Sequence, residues 1–227
     1  MSEQIEIDGI KITVRRNVRA RRMTLRVLRT GGDVVLTLPP RASLKAGREF
    51  VMSRSDWLRR TVATMPPVQK VDEGACLPVS GRGRQICIMP VNRVQIQDDI
   101  LAIPLGKPIG PTIQAWLRHQ AHAALREAVD RHAGKLGRQP RAISLRDTRS
   151  RWGSCTSDGR LMFSWRLAMA PPEVLDYVAA HEVAHMAHMD HSSRFWAQVE
   201  SLMPGYTPHR AWLRDHGVGL QVWRFKD

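Results

Sequence analysis

The sequence predicts an α+β fold, with a strand-rich N-terminal half and a C-terminal half built mainly of helices. Short segments of alternating apolar and polar residues recur between residues 5 and 104, separated by turn-forming residues. After residue 112, apolar residues at helical spacing become dominant. We therefore expect a basic, strand-rich region at 1–106 and a second domain at 107–227.

The first elements predict a small antiparallel sheet with one basic face, over residues 5 to 38. The segment IEIDGIKITVRR alternates around Asp8 and Gly9, a pair that favours a tight hairpin turn. Between residues 43 and 64 an apolar stripe predicts a helix, with Ser43 as its N-cap. Short strands return from about residue 76 to residue 104.

The C-terminal half predicts a helix, a short sheet and two further helices. The predicted elements, in order, are a linker at 107–112, a helix at 113–137, strands at 141–147 and 161–166, a helix that begins at Pro171 and Pro172, and a last helix after residue 191. Prolines suit the first turn of a helix because the amide hydrogen they lack has no partner there.

Composition narrows the class of protein. Apolar residues make up 43% of the 227 residues, as in globular proteins. No run of eighteen apolar residues is present, which argues against a membrane span, and the first ten residues do not resemble a secretory signal. Three cysteines, Cys76, Cys87 and Cys155, match no disulfide framework. We therefore expect a cytoplasmic protein.

The net charge is +14, with a sequence pI near 11.0. Such a surface attracts phosphate backbones nonspecifically, although a basic proteome or a role in solubility is the simpler interpretation. Nonspecific contact with nucleic acid through this basic surface is therefore one hypothesis about partners.

The segment HEVAHMAHMDH, residues 181–191, places six polar groups in an otherwise apolar run. His181 and His185 are four residues apart on a predicted helix, so both imidazoles lie on one face and can share a divalent ion at about 2.0–2.1 Å. Glu182 lies beside this pair, where it can act as general base on water. The helix is apolar nearly all round from Val174 to Met189, so an ionised glutamate there needs a partner. The alternative is a chance match of solvated or core histidines.

A catalytic zinc site needs a third protein ligand and one open position. The candidates are His188, Asp190, His191 and Glu200. Three ligands on one straight helix cannot surround an ion tetrahedrally, so we assign His188 a structural or orienting role. We prefer His191, which follows the point where the helix should turn, and rank Glu200 second. The spacing to His191 is also that of the metzincins, which carry glycine where this chain has His188.

Residues 151–196 resemble the signature region of the YgjP-like metal-dependent hydrolases, which are zincins related to SprT-like and WLM proteases. The matching segments are Arg151 to Cys155, Trp165 to Leu167, Pro171 and Pro172, His181 to His185, and His191 to Trp196. Departures from the family pattern are Asp190 in place of the usual asparagine and Val183 in place of leucine.

The resemblance implies a zincin-like metallopeptidase domain at 107–227 and a Zn²⁺ cofactor. It implies zinc ligands His181, His185 and His191, with Glu182 as the catalytic base. The remaining candidates have two interpretations each. Asp190 either orients an imidazole or caps the next helix. Arg151 either contacts substrate or the transition state, or belongs to a tight structural turn that includes Trp152 and a small buried Cys155.

We therefore predict a zinc-dependent hydrolase, most simply a metallopeptidase that cleaves protein or peptide bonds through an activated water. The strand at 161–166 could be the edge along which an extended peptide pairs. One alternative is a nucleic-acid-associated protein whose metal site is structural, or a protease that acts on DNA-bound proteins. A hydrolase of non-peptide amides is a third interpretation.

Overall fold

The computed structural model describes residues 3–27, 33–148 and 150–226, and the chain divides into two compact units, 1–68 and 69–227. The mixed composition of helices and strands confirms the α+β prediction. The strands between residues 69 and 106, which the sequence analysis assigned to the N-terminal region, lie in the same unit as the histidine segment.

The first unit contains a four-stranded sheet and two helices. Its elements are β1 (Glu3–Ile7), β2 (Ile10–Arg16), β3 (Thr24–Val27), β4 (Val34–Leu38), α1 (Leu44–Met52) and α2 (Ser55–Ala63). The hairpin predicted at Asp8 and Gly9 is present, with both residues at positive φ (52° and 75°), as a tight two-residue turn requires. Ser43 caps α1 by accepting a hydrogen bond from the Ala46 amide.

Two predictions for the first unit are wrong in part. The sheet has the order β1-β2-β4-β3 and is mixed, because β2 and β4 run parallel. The helix predicted over 43–64 is two helices, since the chain turns at Ser53 and Arg54 to bring both Val51 and Leu58 into the core. Residues 28–32 of the predicted strand region lie outside the described residues.

The second unit contains the remaining strands and helices. The strands are β5 (Gln69–Lys70), β6 (Cys76–Val79), β7 (Arg82–Met89), β8 (Gln95–Gln97), β9 (Ile100–Pro104), β10 (Ala142–Arg146), β11 (Gly153–Cys155), β12 (Arg160–Ser164) and β13 (Trp223–Arg224). The helices are α3 (Ile109–Leu136), a short 3₁₀ helix (Trp165–Met169), α4 (Pro172–Ala184), α5 (Ser193–Leu202) and α6 (Thr207–Gln221).

A single hydrophobic core holds this unit together, and α3 and α4 pack against each other in it. The linker predicted at 107–112 is wrong in part, because α3 begins at Ile109 and buries Gly110 against the Phe225 backbone. The glycine stop is present: Gly137 has φ 71° and ends α3. Among the described residues, no helix is long and apolar enough to cross a membrane.

The sheet nearest the histidine segment has the order β10-β12-β11, with β10 parallel and β11 antiparallel to β12. The strand at 161–166, predicted as a free edge, is therefore the central strand, and that prediction is wrong. The stretch RWGSC was expected to form a turn, but Gly153–Cys155 forms the edge strand β11, and β11 packs against α4.

Candidate active site

Helix α4 carries His181 and Glu182 at its C-terminal end. Pro171 precedes the helix and Pro172 occupies its first turn, as the sequence predicted. Most residues of α4 are buried, including Glu182, which is 5% exposed. The predicted burial of this helix is therefore confirmed, and it places a carboxyl group in an apolar environment.

The helix ends at Ala184, earlier than the sequence predicted. Beyond it, the amides of Met186 and Ala187 donate to carbonyls three residues back, which tightens the chain into a turn. Met189, expected within the apolar helix, is 54% exposed. The early turn has a direct consequence for the site, since it reverses the chain and returns His191 toward His181.

The ring of His185 is oriented by this turn. Its Nδ1 lies 3.0 Å from the His188 carbonyl oxygen. Because a carbonyl only accepts hydrogen bonds, Nδ1 carries the proton and Nε2 keeps a free lone pair. His188 thus orients another imidazole through its backbone, which agrees with the orienting role predicted for it.

Three imidazoles converge at this point. One ligand atom from each of His181, His185 and His191 lies within 4.8 Å of the other two. The Nε2 atoms of His181 and His191 are 3.3 Å apart. Two ligands at about 2.0–2.1 Å from a tetrahedral ion are about 3.3 Å apart, so this pair already has the required separation.

Phe195 of α5 fixes the positions of all three rings. It is fully buried, and its ring centroid lies 4.9 Å from that of His181, 4.4 Å from that of His185 and 4.8 Å from that of His191. A rigid aromatic ring in contact with each imidazole restricts their rotamers, which keeps the nitrogens convergent.

Glu182 lies directly against the edge strand β11. A Cβ placed on Gly153 would be 2.5 Å from Glu182 Oε1, so only glycine allows this approach. The other oxygen, Oε2, is buried and has no hydrogen-bond partner among the described residues. A buried, unpartnered carboxyl oxygen indicates a group that binds something other than protein.

Burial favours the neutral forms of Glu182, His181 and His185. Burial raises the pKa of Glu182 to about 8, and the positive charge of Arg151 partly opposes this shift. Burial lowers the pKa of His181 to about 3, helped by His185, His191 and Arg210. Burial also lowers the pKa of His185. Neutral imidazoles are the form that binds metal ions.

The other candidate ligands have protein partners. Asp190 accepts a hydrogen bond from the Ser192 amide, two residues on, which forms a turn just before α5; the N-cap of α5 is Ser192, so Asp190 is not the cap. Glu200 accepts from the Gly205 amide at 3.0 Å. Neither belongs to the group of convergent ligand atoms. Burial, with Glu182 and Asp158, raises the pKa of Cys155 to about 11, so this thiol stays protonated.

Arg151 is exposed, and its backbone carbonyl accepts a hydrogen bond from Thr148 Oγ1 at 2.7 Å. Sequence reasoning underestimated Gly153 and omitted Phe195 from the site. The signal for Gly153 was its place in RWGSC, where a residue without a side chain allows close backbone approach. The signal for Phe195 was an apolar aromatic residue in the first turn of the predicted helix that follows His191.

Comparison with known proteins tests the predicted family. Residues 21–216 match a family model described as YgjP-like, metallopeptidase domain. The crystal structure of the metallopeptidase zymogen abylysin of Pyrococcus abyssi is similar at 21% identity and a TM-score of 0.36, over 40% of this chain and 93% of that chain. No curated protein matches the chain. The family match spans well over half of the sequence and confirms the prediction: this chain is a member of the YgjP-like family and carries its metallopeptidase domain.

Proposed function

We propose that the protein is a zinc peptidase in which His181, His185 and His191 hold the ion and Glu182 is the general base. The observation that carries this proposal is the convergence of three imidazole ligand atoms beside a buried carboxyl group with no protein partner for one of its oxygens. The family implies a metal-dependent peptidase, and the donor set favours zinc.

The three histidines supply the ligand number and type that a catalytic zinc ion requires. Three imidazole nitrogen donors and one open position are an arrangement of catalytic zinc sites. The Nε2 of His185 is free because Nδ1 donates to the His188 carbonyl. Glu182 adjoins His181 in the sequence and is not among the convergent ligand atoms, so it would contact a water on the ion without occupying a ligand position.

Zinc, when bound, polarises the scissile carbonyl and lowers the pKa of water. Glu182 accepts a proton from the attacking water and then delivers it to the leaving amine. Its apolar environment increases its affinity for that proton, while the nearby charge of Arg151 favours the carboxylate form. Arg151 is exposed and its charge acts on Glu182, which supports a contact between Arg151 and the substrate backbone or the developing oxyanion.

The free edge of β11 is the proposed docking line for an extended peptide. Trp152 and Thr156 are hydrogen bonded through their backbones to Ser164 and Arg160 of the neighbouring chain segment. Because backbone groups alternate in an antiparallel pair, those of Gly153 and Cys155 point away from β12. A peptide that paired with these groups would lie beside Glu182, which touches Gly153.

The test is a comparison of two glutamates on the same helix. Zinc-loaded wild-type protein and the Glu182→Gln variant are incubated with a peptide mixture, and new termini are identified by mass spectrometry. We expect Glu182→Gln to lower turnover by about 10²–10⁴-fold with zinc content unchanged. Glu173→Gln, in the exposed first turn of α4, should match the wild type. Identical termini from wild type and Glu182→Gln would overturn the proposal.

A second candidate, a peptidase that acts on nucleic-acid-bound proteins, is favoured by the charge of the first unit. Residues 1–68 contain fourteen lysines and arginines against six acidic residues. In β2, exposed Lys11 and Arg15 alternate with buried Ile12 and Val14, which gives the sheet a basic outer side. Binding to duplex or single-stranded DNA should weaken steeply as salt rises. Salt-independent binding, or none at low salt, would contradict this candidate.

A further inference from the structure

An aromatic stack lies beside the three histidines and ends in an arginine. The rings of Tyr177 and Tyr206 stack with centroids 5.7 Å apart, and Tyr206 stacks on Trp196 at 5.6 Å. The guanidinium carbon of Arg210 lies 4.1 Å from the Trp196 ring centroid. Elements α4, α5 and α6 each contribute to this stack, so it is fixed by the packing of the three helices.

The stack adjoins the metal-ligand cluster directly. The Trp196 ring centroid lies 5.7 Å from that of His181 and 5.7 Å from that of His191. Arg210 therefore holds a positive charge next to the histidines, and this charge contributes to the lowered pKa of His181. One residue of an extended peptide spans about 3.3 Å, so a substrate residue near the scissile bond could reach it.

The guanidinium of Arg210 is held against the Trp196 ring, and no carboxylate among the described residues pairs with it. Asp190 and Glu200 both occur in the adjacent segments. Those two carboxylates instead accept hydrogen bonds from backbone amides. Stacking on Trp196 restricts the planar guanidinium, so little additional ordering is needed when it binds an anion.

We propose that Arg210 is a specificity-determining residue that binds a carboxylate of the peptide substrate. The proposal rests on the proposed peptidase function and adds a substrate class to it, namely peptides with an acidic group near the scissile bond. A guanidinium binds a carboxylate through two parallel hydrogen bonds, which neutral side chains cannot reproduce. The carboxylate can belong to an aspartate or glutamate side chain or to the peptide C-terminus.

The test uses matched peptides and measures kcat/KM with zinc-loaded protein. A scan places one glutamate at each position around the cleavage site, with glutamine at the same position as the neutral partner. A second pair compares a free C-terminus with an amidated one, which separates the two sources of carboxylate. At one position we expect wild-type protein to prefer the acid by about three- to tenfold, as for a solvent-accessible charge pair.

Three variants separate recognition from a merely structural role. Arg210→Gln should abolish the acid preference, so that kcat/KM falls about three- to tenfold further for the acidic peptide than for its neutral partner, while Arg210→Glu should reverse the preference. Arg214→Gln, one helical turn further along α6, is the matched control, because Arg214 is exposed and already paired with Asp215. If Arg210 only supported the aromatic stack, its loss would slow acidic and neutral peptides equally.

Peptide affinity, measured without cleavage, tests the Arg210 subsite independently of the peptidase activity. The affinity of zinc-loaded Glu182→Gln protein for each labelled peptide pair is measured by fluorescence anisotropy. If no peptide is cut, the peptidase proposal fails, and an acid preference in binding that depends on Arg210 still supports the subsite. Equal affinity for acidic and neutral peptides, or a preference that survives Arg210→Gln, overturns the inference whether or not peptides are cut.

Discussion

Helices α3 and α4 pack against each other and both carry histidines, yet only α4 contributes to a convergent cluster. On α3, His119 and His122 are three residues apart and exposed to solvent. On α4, His181 is joined by His185 at the helix end and by His191 from beyond the turn. Helical spacing alone therefore does not make a site. The decisive feature is the chain reversal after Ala184, which supplies a ligand from a second direction.

Two carboxylates of α4, Asp176 and Glu182, differ in whether protein groups satisfy their oxygens. His132 of α3 is 1% exposed, and its Nε2 lies 2.7 Å from Asp176 Oδ1 of α4. Glu182 is buried to a similar degree, but its Oε2 has no hydrogen-bond partner in the described parts of the chain. The first carboxylate is satisfied by protein and joins two helices. The second remains available for a ligand.

The sharpest test of this comparison replaces one histidine of the convergent cluster and one exposed histidine of α3 with alanine. We expect His191→Ala to weaken zinc affinity by at least about 100-fold, because loss of a ligand should exceed the 10–100-fold cost of losing an orienting partner. His122→Ala, on the exposed side of α3, should leave the affinity unchanged. Competition with a chromogenic chelator measures both constants. Equal affinities for the two variants would contradict the assignment of His191.

A second test disturbs the carboxylate without changing any titratable group. The Cβ added by Gly153→Ala would meet Glu182 Oε1 at 2.5 Å, so the side chain or the strand must move. Since small displacements of catalytic groups cost about 10²-fold, we expect kcat to fall by about 10–100-fold. Zinc content should be unchanged, because Gly153 is on β11 and none of the three histidines is. A variant with normal kcat would show that Glu182 need not be held at this strand.

The sequence predicted which groups lie together in the candidate site better than it predicted the contacts that hold them in place. His181, Glu182 and His185 follow from local spacing, and His191 follows from the need for a ligand outside the straight helix. The RWGSC stretch marks Gly153 as a point of close backbone approach, but Glu182 is far away in the chain, so no local pattern could identify it as the partner. The same limit explains the sheet errors, since the parallel pairing of β2 with β4 and the central place of β12 are properties of tertiary packing.

The hydrogen-bonded pair of His132 on α3 and Asp176 on α4 leads to a prediction about how stability depends on pH. Burial tends to raise the pKa of Asp176, but hydrogen bonds from His132 and Arg131 outweigh it and the pKa is lowered. A lowered carboxyl pKa contributes stability that is present above the unfolded value, about 3.9, and is lost as pH falls through the folded value. We expect Asp176→Asn to cost about 1–3 kcal/mol of unfolding free energy at pH 7.

The difference between wild type and Asp176→Asn should shrink below about pH 4, because the wild-type carboxyl group is then protonated too. Urea unfolding at a series of pH values measures this difference. The zinc affinity of Asp176→Asn should match that of the wild type, since Asp176 lies outside the ligand cluster. A difference that stays constant with pH would mean that packing, and not charge, accounts for the loss.

The smallest expected effect comes from a second glycine, on α3, which serves as the counterpart of Gly153. Gly134 lies inside the helix, and a Cβ added there would meet nothing within 4 Å. Alanine restricts the unfolded chain and favours the helix, so Gly134→Ala should raise the unfolding free energy by about 0.5–1 kcal/mol. Urea unfolding measures this gain, and kcat should be unchanged. The same substitution thus stabilises the protein at Gly134 and disables it at Gly153, because one added methyl group meets solvent and the other meets Glu182. A loss of activity in Gly134→Ala would contradict this prediction, because it would mean that α3 is also coupled to the reaction.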